Sequence, residues 1–220
     1  MKIGKKKAVI FDFDGTLTDS MEIQNLSILK GLHAVGCFSV SKEDLPNHYG
    51  PTERGIISSI VPPGKKAEAW NVCLECYKEL SKSMKPFDGI LELLEKLIEN
   101  KIEVFLVTGR NRETLDVSLE DMKMGSYFLK TYSGSDLGTN KEQSITTLFH
   151  EFDLSSKDVV YIGDTLDDIR MMRNISTDIL SSGYSHDSKY QRQLEEQNPG
   201  NVCLSVSELE KRLMEITELH

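Results

Sequence analysis

The sequence predicts an α/β protein: a parallel sheet covered by helices on both faces, interrupted once by an all-helical stretch. Three observations carry this. From residue 86 onward, short apolar β-forming runs alternate with segments of helical period, and strands separated by helices build parallel sheets. Residues 19–85 carry helical patterns only. The runs ending at Phe11 and Ile162 are each followed by aspartates, at the strand ends where open parallel sheets bind ligands.

Ala8 to Phe11 is a short apolar run and reads as a buried strand. Asp12 and Asp14 follow with one residue between them, and then Gly15, which can turn the chain sharply. Two acids at the end of a buried strand are costly without a cation or another purpose. They can attack an electrophile, move a proton or hold a divalent metal. On spacing alone they equally fit a strand-to-turn junction.

Leu26, Leu29, Leu32 and Val35 then recur at helical spacing, with Gly36 as C-cap. Ser41 with Asp44 reads as a short capping box, which Pro46 cuts off. Thr52 caps a helix through Ile56, Ile57 and Ile60, and Val61-Pro62-Pro63-Gly64 breaks the chain. Trp70, Cys73, Tyr77, Leu80 and Met84 form the stripe of a longer helix, whose aromatic and Met character is that of core. Cys73 and Cys76 make a CxxC inside it, open to zinc or redox chemistry but with no second Cys or His pair nearby; packing accounts for both.

Lys85 to Gly89 marks a second boundary, and Asp88 caps a helix burying Ile90, Leu91, Leu94, Leu97 and Ile98. Strands are predicted at 102–107, 127–132, 159–162, 177–180 and 202–204. Helices are predicted at 112–123, 140–151, 166–173 and 189–197. Ser207 with Glu210 opens the last helix as a capping box.

Length and composition set bounds. A chain of 220 residues holds one large domain or a core with a smaller one. Its 39% hydrophobic and 28% charged residues are those of a soluble globular protein. A net charge of −9 argues against a nucleic-acid or anionic-membrane surface. The basic run Lys5-Lys6-Lys7 leads into the first strand; only Ala8 to Phe11 follow it before Asp12, too short for a signal-peptide core. No apolar run approaches membrane-spanning length, so the expected location is the cytoplasm. Four cysteines are too few for a disulfide scaffold.

Asp12-Phe13-Asp14-Gly15-Thr16-Leu17-Thr18 resembles the first signature of the haloacid dehalogenase-like (HAD) superfamily, DxDGT[L/V]T. Three further parts resemble that family in order. Thr108, followed by Gly109 and Arg110, ends an apolar strand as the second signature does. Lys141 stands at a helix start, where it opposes the helix dipole and gains nothing locally. It is followed by Glu142 rather than the Pro common in relatives with a helical cap. Gly163-Asp164-Thr165-Leu166-Asp167-Asp168 matches the fourth signature, GDxxxD, with Asp168 in its last position.

The resemblance implies a Rossmann-like core of residues 1–18 and 86–220 with a helical cap at 19–85, as in the phosphoglycolate phosphatase-like branch. It implies an Mg²⁺-dependent phosphatase of a small phosphorylated metabolite, working as a monomer or homodimer. Asp12 would be the nucleophile and Asp14 the acid and base. Thr108, Gly109 and Lys141 would hold the transferring oxygens. Asp12, the Asp14 main-chain carbonyl and Asp164 would hold the metal, with Asp168 behind them. Arg54 would face the site from the cap and clamp an anionic leaving group; it equally fits an exposed helix position. The alternatives are a phosphosugar mutase resembling beta-phosphoglucomutase and a non-catalytic phosphate-binding or phospho-accepting signalling module. Asp14 speaks against dehalogenation, whose enzymes lack the second acid.

Overall fold

The computed structural model describes residues 6–49, 51–136 and 141–217. Six parallel strands form one sheet in the order β3-β2-β1-β4-β5-β6. They are β1 (Ala8–Phe11), β2 (Glu103–Val107), β3 (Lys130–Tyr132), β4 (Val159–Gly163), β5 (Asp178–Ser182) and β6 (Val202–Cys203). In the centre, Phe11 pairs with Leu106 on one side and Ile162 on the other. Side chains alternate across the pleat, and the two faces make two apolar clusters. Val9, Phe11, Val104, Leu106, Val160 and Ile162 meet α4 (Ile90–Glu99), α5 (Arg112–Asp121) and α9 (Val206–Thr217). Ala8, Ile10, Phe105, Val107, Val159 and Tyr161 meet α6 (Lys141–Glu151), α7 (Leu166–Asn174) and α8 (Ser188–Gln197).

The stretch between β1 and β2 holds α1 (Met21–Ala34), α2 (Glu53–Ile60) and α3 (Lys66–Leu80). Their own apolar cluster joins Ile28, Leu32, Ile56, Ile57, Trp70 and Cys73. The chain leaves and re-enters the sheet side by side. Thr18 bridges Pro86, Phe87 N–H donates to the Leu17 carbonyl (2.9 Å), and Thr18 Oγ1 donates to the Lys85 carbonyl (2.7 Å). Among the described residues no helix is long and apolar enough to cross a membrane.

Several local expectations change. Leu26 is exposed, because Asn25, Ser27, Ile28, Gly31 and Leu32 form the buried face of α1. Gly31 lets that face approach α3, since a Cβ there would sit 2.5 Å from the Ala69 carbonyl oxygen. Pro46 is the second residue of a 3-10 turn (Leu45–His48) rather than the end of a segment, and Ser41 donates to the Asp44 carboxylate. Gly89, with φ of +89°, precedes α4 in place of Asp88, which is exposed; Leu93 is buried there and Ile98 is not. Tyr77 and Met84 pack into the sheet core rather than into the cluster of the helices around them. Residues 125–127 make a 3-10 turn, so β3 is shorter than predicted. The last helix is capped two residues earlier: Ser205 Oγ accepts from Glu208 N–H (3.1 Å), and Glu208 accepts from Leu204 N–H (2.8 Å). Lys5, Gly50 and Asn140 lie outside the described residues.

Candidate active site

β1 delivers Asp12 to the carboxyl edge of the sheet, beside the ends of β2 and β4. Its side chain is buried; Oδ1 accepts from Phe13 N–H (2.7 Å) and Oδ2 from Lys141 Nζ (2.6 Å). Gly15 turns the chain at once, with φ of +69°. A Cβ at Gly15 would lie inside the contact shell of Asp164 Oδ2, so only glycine lets the two loops meet.

β4 delivers Asp164. One oxygen each from Asp12, Asp164 and Asp168 lie within 4.8 Å of one another, all three residues buried. Asp168 is also structural. As the third residue of α7 it completes a capping box: Oδ2 accepts from Thr165 N–H (3.1 Å) and Thr165 Oγ1 (2.6 Å). Its Oδ1 accepts from Lys141 Nζ (3.0 Å) and from the Tyr161 hydroxyl (3.2 Å). Both Asp168 oxygens are therefore engaged by the protein, which suits a support behind a metal site. Asp167 is exposed and pairs with Arg170.

The electrostatics follow from burial and crowding. Burial, opposed by Lys141 and reinforced by Asp168 and Asp164, pushes the Asp12 carboxyl up to about 8. Asp164 is raised, chiefly by burial, against the hydrogen bond from His186. Burial would lower Lys141, but Asp12 and Asp168 outweigh it and hold the ammonium charged. Asp12 and Asp168 thus share the Lys141 ammonium while Asp164 meets His186, and the hard oxygen donors of the three suit a small divalent cation such as Mg²⁺.

The remaining expected residues divide. Thr108 is buried at the end of β2; its hydroxyl accepts from Arg110 N–H (3.3 Å). Gly109 lies against Lys141, whose Cε would be 4.0 Å from an added Cβ. The Asp14 carboxylate stands outside the acidic trio and accepts from Ser20. Arg54 is half exposed on α2, 3.6 Å from Glu113 and 3.7 Å from Asp136. It is no lone surface cation, since carboxylates on two other segments already face it.

Four further groups join the site. His186 Nε2 lies 2.9 Å from Asp164 Oδ2 and 3.0 Å from its carbonyl oxygen, arriving from the loop after β5 without a sequence signal. Tyr161, under Lys141 and Asp168, lies in an apolar run that marks only a strand. Thr165 with Asp168 fits the T-x-x-D capping pattern and was legible. Arg110 directly follows Thr108 and Gly109 and is wholly buried, paired with Glu53 of α2 (3.3 Å).

Acids and a lysine gathered at the carboxyl edge of a parallel α/β sheet make a polar site where such folds bind ligands. The haloacid dehalogenase-like hydrolase profile matches residues 9–181, and the chain belongs to that family. It is a HAD-superfamily phosphatase, similar to phosphoglycolate phosphatase. Phosphoglycolate phosphatase 1 of Pseudomonas aeruginosa is 24% identical over 82% of this chain and 71% of its own. Pyrophosphatase PpaX of Bacillus mycoides is 22% identical over 93% of this chain and 95% of its own. Among solved structures, a predicted phosphoglycolate phosphatase from Haemophilus somnus superposes with a TM-score of 0.78 at 18% identity, covering 94% of this chain and 97% of its own.

Proposed function

We propose that this phosphatase is Mg²⁺-dependent and hydrolyses a small phosphomonoester through an aspartyl-phosphate on Asp12. The observation that carries the reading is the buried trio Asp12, Asp164 and Asp168 at the carboxyl edge, with Lys141 paired to Asp12 and Asp168. A carboxylate oxygen of Asp12 attacks phosphorus, and the bond from phosphorus to the leaving oxygen breaks. Asp14 gives that oxygen its proton, then takes one from the water that attacks the aspartyl-phosphate. Thr108, Gly109 and Lys141 hold the transferring oxygens, where charge must be neutralised. Asp12, the Asp14 main-chain carbonyl and Asp164 would hold Mg²⁺, which supplies further neutralisation of phosphoryl charge. Tyr161 and Asp168 keep Lys141 in place from behind.

Residues 19–85 act in this proposal as a cap over a core of 1–18 and 86–220, and the separate cluster around Ile57 and Trp70 supports that division. Arg54 stands on the cap as a reader of the leaving group. Relatives named phosphatases favour hydrolysis over the mutase and the non-catalytic module. Four free cysteines and the absence of a membrane-crossing helix among the described residues suit work in the cytoplasm.

The test is phosphate release from phosphoglycolate, pyrophosphate, nucleoside monophosphates and sugar phosphates, each with Mg²⁺ and with EDTA. At least one substrate should turn over with Mg²⁺ and slow about ten-fold or more in EDTA. In Arg54→Ala its KM should rise more than that of p-nitrophenyl phosphate. Equal rates in EDTA overturn the metal assignment, and equal KM changes overturn the role of Arg54.

A further inference from the structure

The turn between β2 and α5 carries a cation to which the mechanism above gives no task. The Arg110 side chain is wholly buried, its guanidinium 5.1 Å from the Phe13 ring centroid and 4.7 Å from that of Tyr77. Nε donates to Glu53 Oε1 (3.3 Å), and Nη1 donates to Ser118 Oγ (3.1 Å) and lies 3.7 Å from Asp14 Oδ1. Nη2 is buried with no hydrogen-bond partner among the described residues. An orphaned buried donor costs about 1–3 kcal/mol, and a buried guanidinium is often no more stabilising than an apolar side chain of its size. Filling the space between two rings does not call for arginine.

Glu53 is as unusual, being the buried first residue of α2. Its described partners all come from residues 110–114. Oε1 accepts from Arg110 Nε and Thr114 Oγ1 (2.8 Å), and Oε2 accepts from Asn111 N–H (2.7 Å). The Glu53 carboxylate is thus a buried part of the dock of α2 on the sheet domain, beside the exposed contacts of Arg54 with Glu113 and Asp136, and the cation that carboxylate holds also faces Asp14. The two described contacts of the Asp14 carboxylate, from Ser20 and Arg110, both fall on Oδ1. Its Oδ2 has no partner among the described residues.

We propose that Glu53 and Arg110 are positioning residues for proton transfer by Asp14. Glu53, carried by α2, fixes the Arg110 guanidinium; Arg110 anchors Asp14 Oδ1; Oδ2 is thereby left to serve the leaving-group oxygen. Docking of α2 and alignment of the acid become one event, because an undocked α2 leaves Arg110 without its carboxylate partner. This rests on the acid and base role given to Asp14 above.

The test compares first-turnover release of phenol from phenyl phosphate with that of p-nitrophenol from p-nitrophenyl phosphate. The first leaving group needs protonation and the second needs little. Glu53→Gln keeps size and acceptor oxygen but loses the charge that holds Arg110; Arg110→Lys keeps the charge but loses the planar donor array. In both variants phenol release should slow about 10- to 100-fold, while p-nitrophenol release changes less than about three-fold. Adding Glu53→Gln to Asp14→Asn should change neither rate further, which a merely structural dock would not satisfy. Equal slowing of both esters in Glu53→Gln, or slowing of neither, overturns the positioning role; Glu53→Gln decides alone if Arg110→Lys does not fold. If Asp14→Asn itself treats both esters alike, the acid and base reading fails and takes this proposal with it. If only Asp14→Asn discriminates between them, the positioning role alone fails.

Discussion

The carboxyl edge of the sheet and the helices α1–α3 meet around Asp14, yet they are organised by different physics. At the edge, Asp12 and Asp164 directly follow strand ends, and the sheet's hydrogen bonds fix where these two carboxylates sit. Asp12 and Asp164 need no long-range packing to come together beyond the pairing of β1 with β4. In the helical stretch, position depends on which face of each helix finds the apolar cluster around Ile28, Ile57 and Trp70. That stretch then touches the chemistry through Ser20, which donates to Asp14, and through the buried carboxylate of Glu53. One region is placed by backbone pairing. The other is placed by packing, so changes in it should alter stability and alignment before they alter chemistry.

Two left-handed glycines separate the regions most sharply. Gly15 has φ of +69° and abuts Asp164, whereas Gly36 has φ of +84° with nothing within 4 Å of an added Cβ. Gly15→Ala should lower phosphate release by about 100-fold or more and abolish the thermal shift given by Mg²⁺, because the Asp164 carboxylate must move. Gly36→Ala should cost about 1–2 kcal/mol in urea unfolding and leave turnover within about two-fold. Similar effects from the two would erase the distinction.

Packing in the helical cluster should show the reverse pattern. Ile57 is fully buried there. Ile57→Ala should destabilise by about 2–5 kcal/mol in urea unfolding, while aspartyl-phosphate formation on Asp12 persists in the folded fraction. Loss of the phosphoenzyme without loss of stability would mean that the helices take part in the chemistry itself.

The smallest expected effect concerns pH. With its carboxyl raised to about 8, folded Asp12 keeps a proton that the unfolded chain releases near its ordinary value of 3.8. The folded state binds more protons across that window, so this group's contribution to stability falls as pH rises from about 4 to about 8. A divalent cation competes with the same proton and restores that loss. The rise in Tm given by Mg²⁺ should therefore be several degrees larger at about pH 8 than at about pH 5.5. An equal or smaller rise at pH 8 would place the cation elsewhere.

Much of the edge was legible because its chemistry is contiguous in sequence. Asp12, Asp14 and Asp164 each follow an apolar run, and strand ends are where such runs deliver side chains, whereas Thr108 stood out only through the resemblance to the second HAD signature. Lys141 was legible only as a cation misplaced at a helix start; its two carboxylate partners, Asp12 and Asp168, are 129 and 27 residues away in the chain. The helices were legible as helices but not as faces. Leu26 and Ile98 repeat at the right spacing and still face outward, because the neighbouring helix or sheet selects one side of a broadly apolar turn. Glu53 and Arg110 read as ordinary charged residues, since nothing local marks a charge that will be buried by its partner from another segment. His186 depended wholly on how the loop after β5 folds back.

The central claim is that Asp12 and Asp14, two residues apart, do different work. Asp12→Asn and Asp14→Asn remove equal charge and hardly change shape. Brief exposure to acetyl phosphate, whose leaving group needs little protonation, followed by acid quench and intact-protein mass, separates them. Asp14→Asn should carry one phosphoryl adduct, because the aspartyl-phosphate forms and then lacks the base for hydrolysis, while Asp12→Asn should carry none. The same adduct on both variants would show that Asp12 is not the nucleophile and would contradict the account.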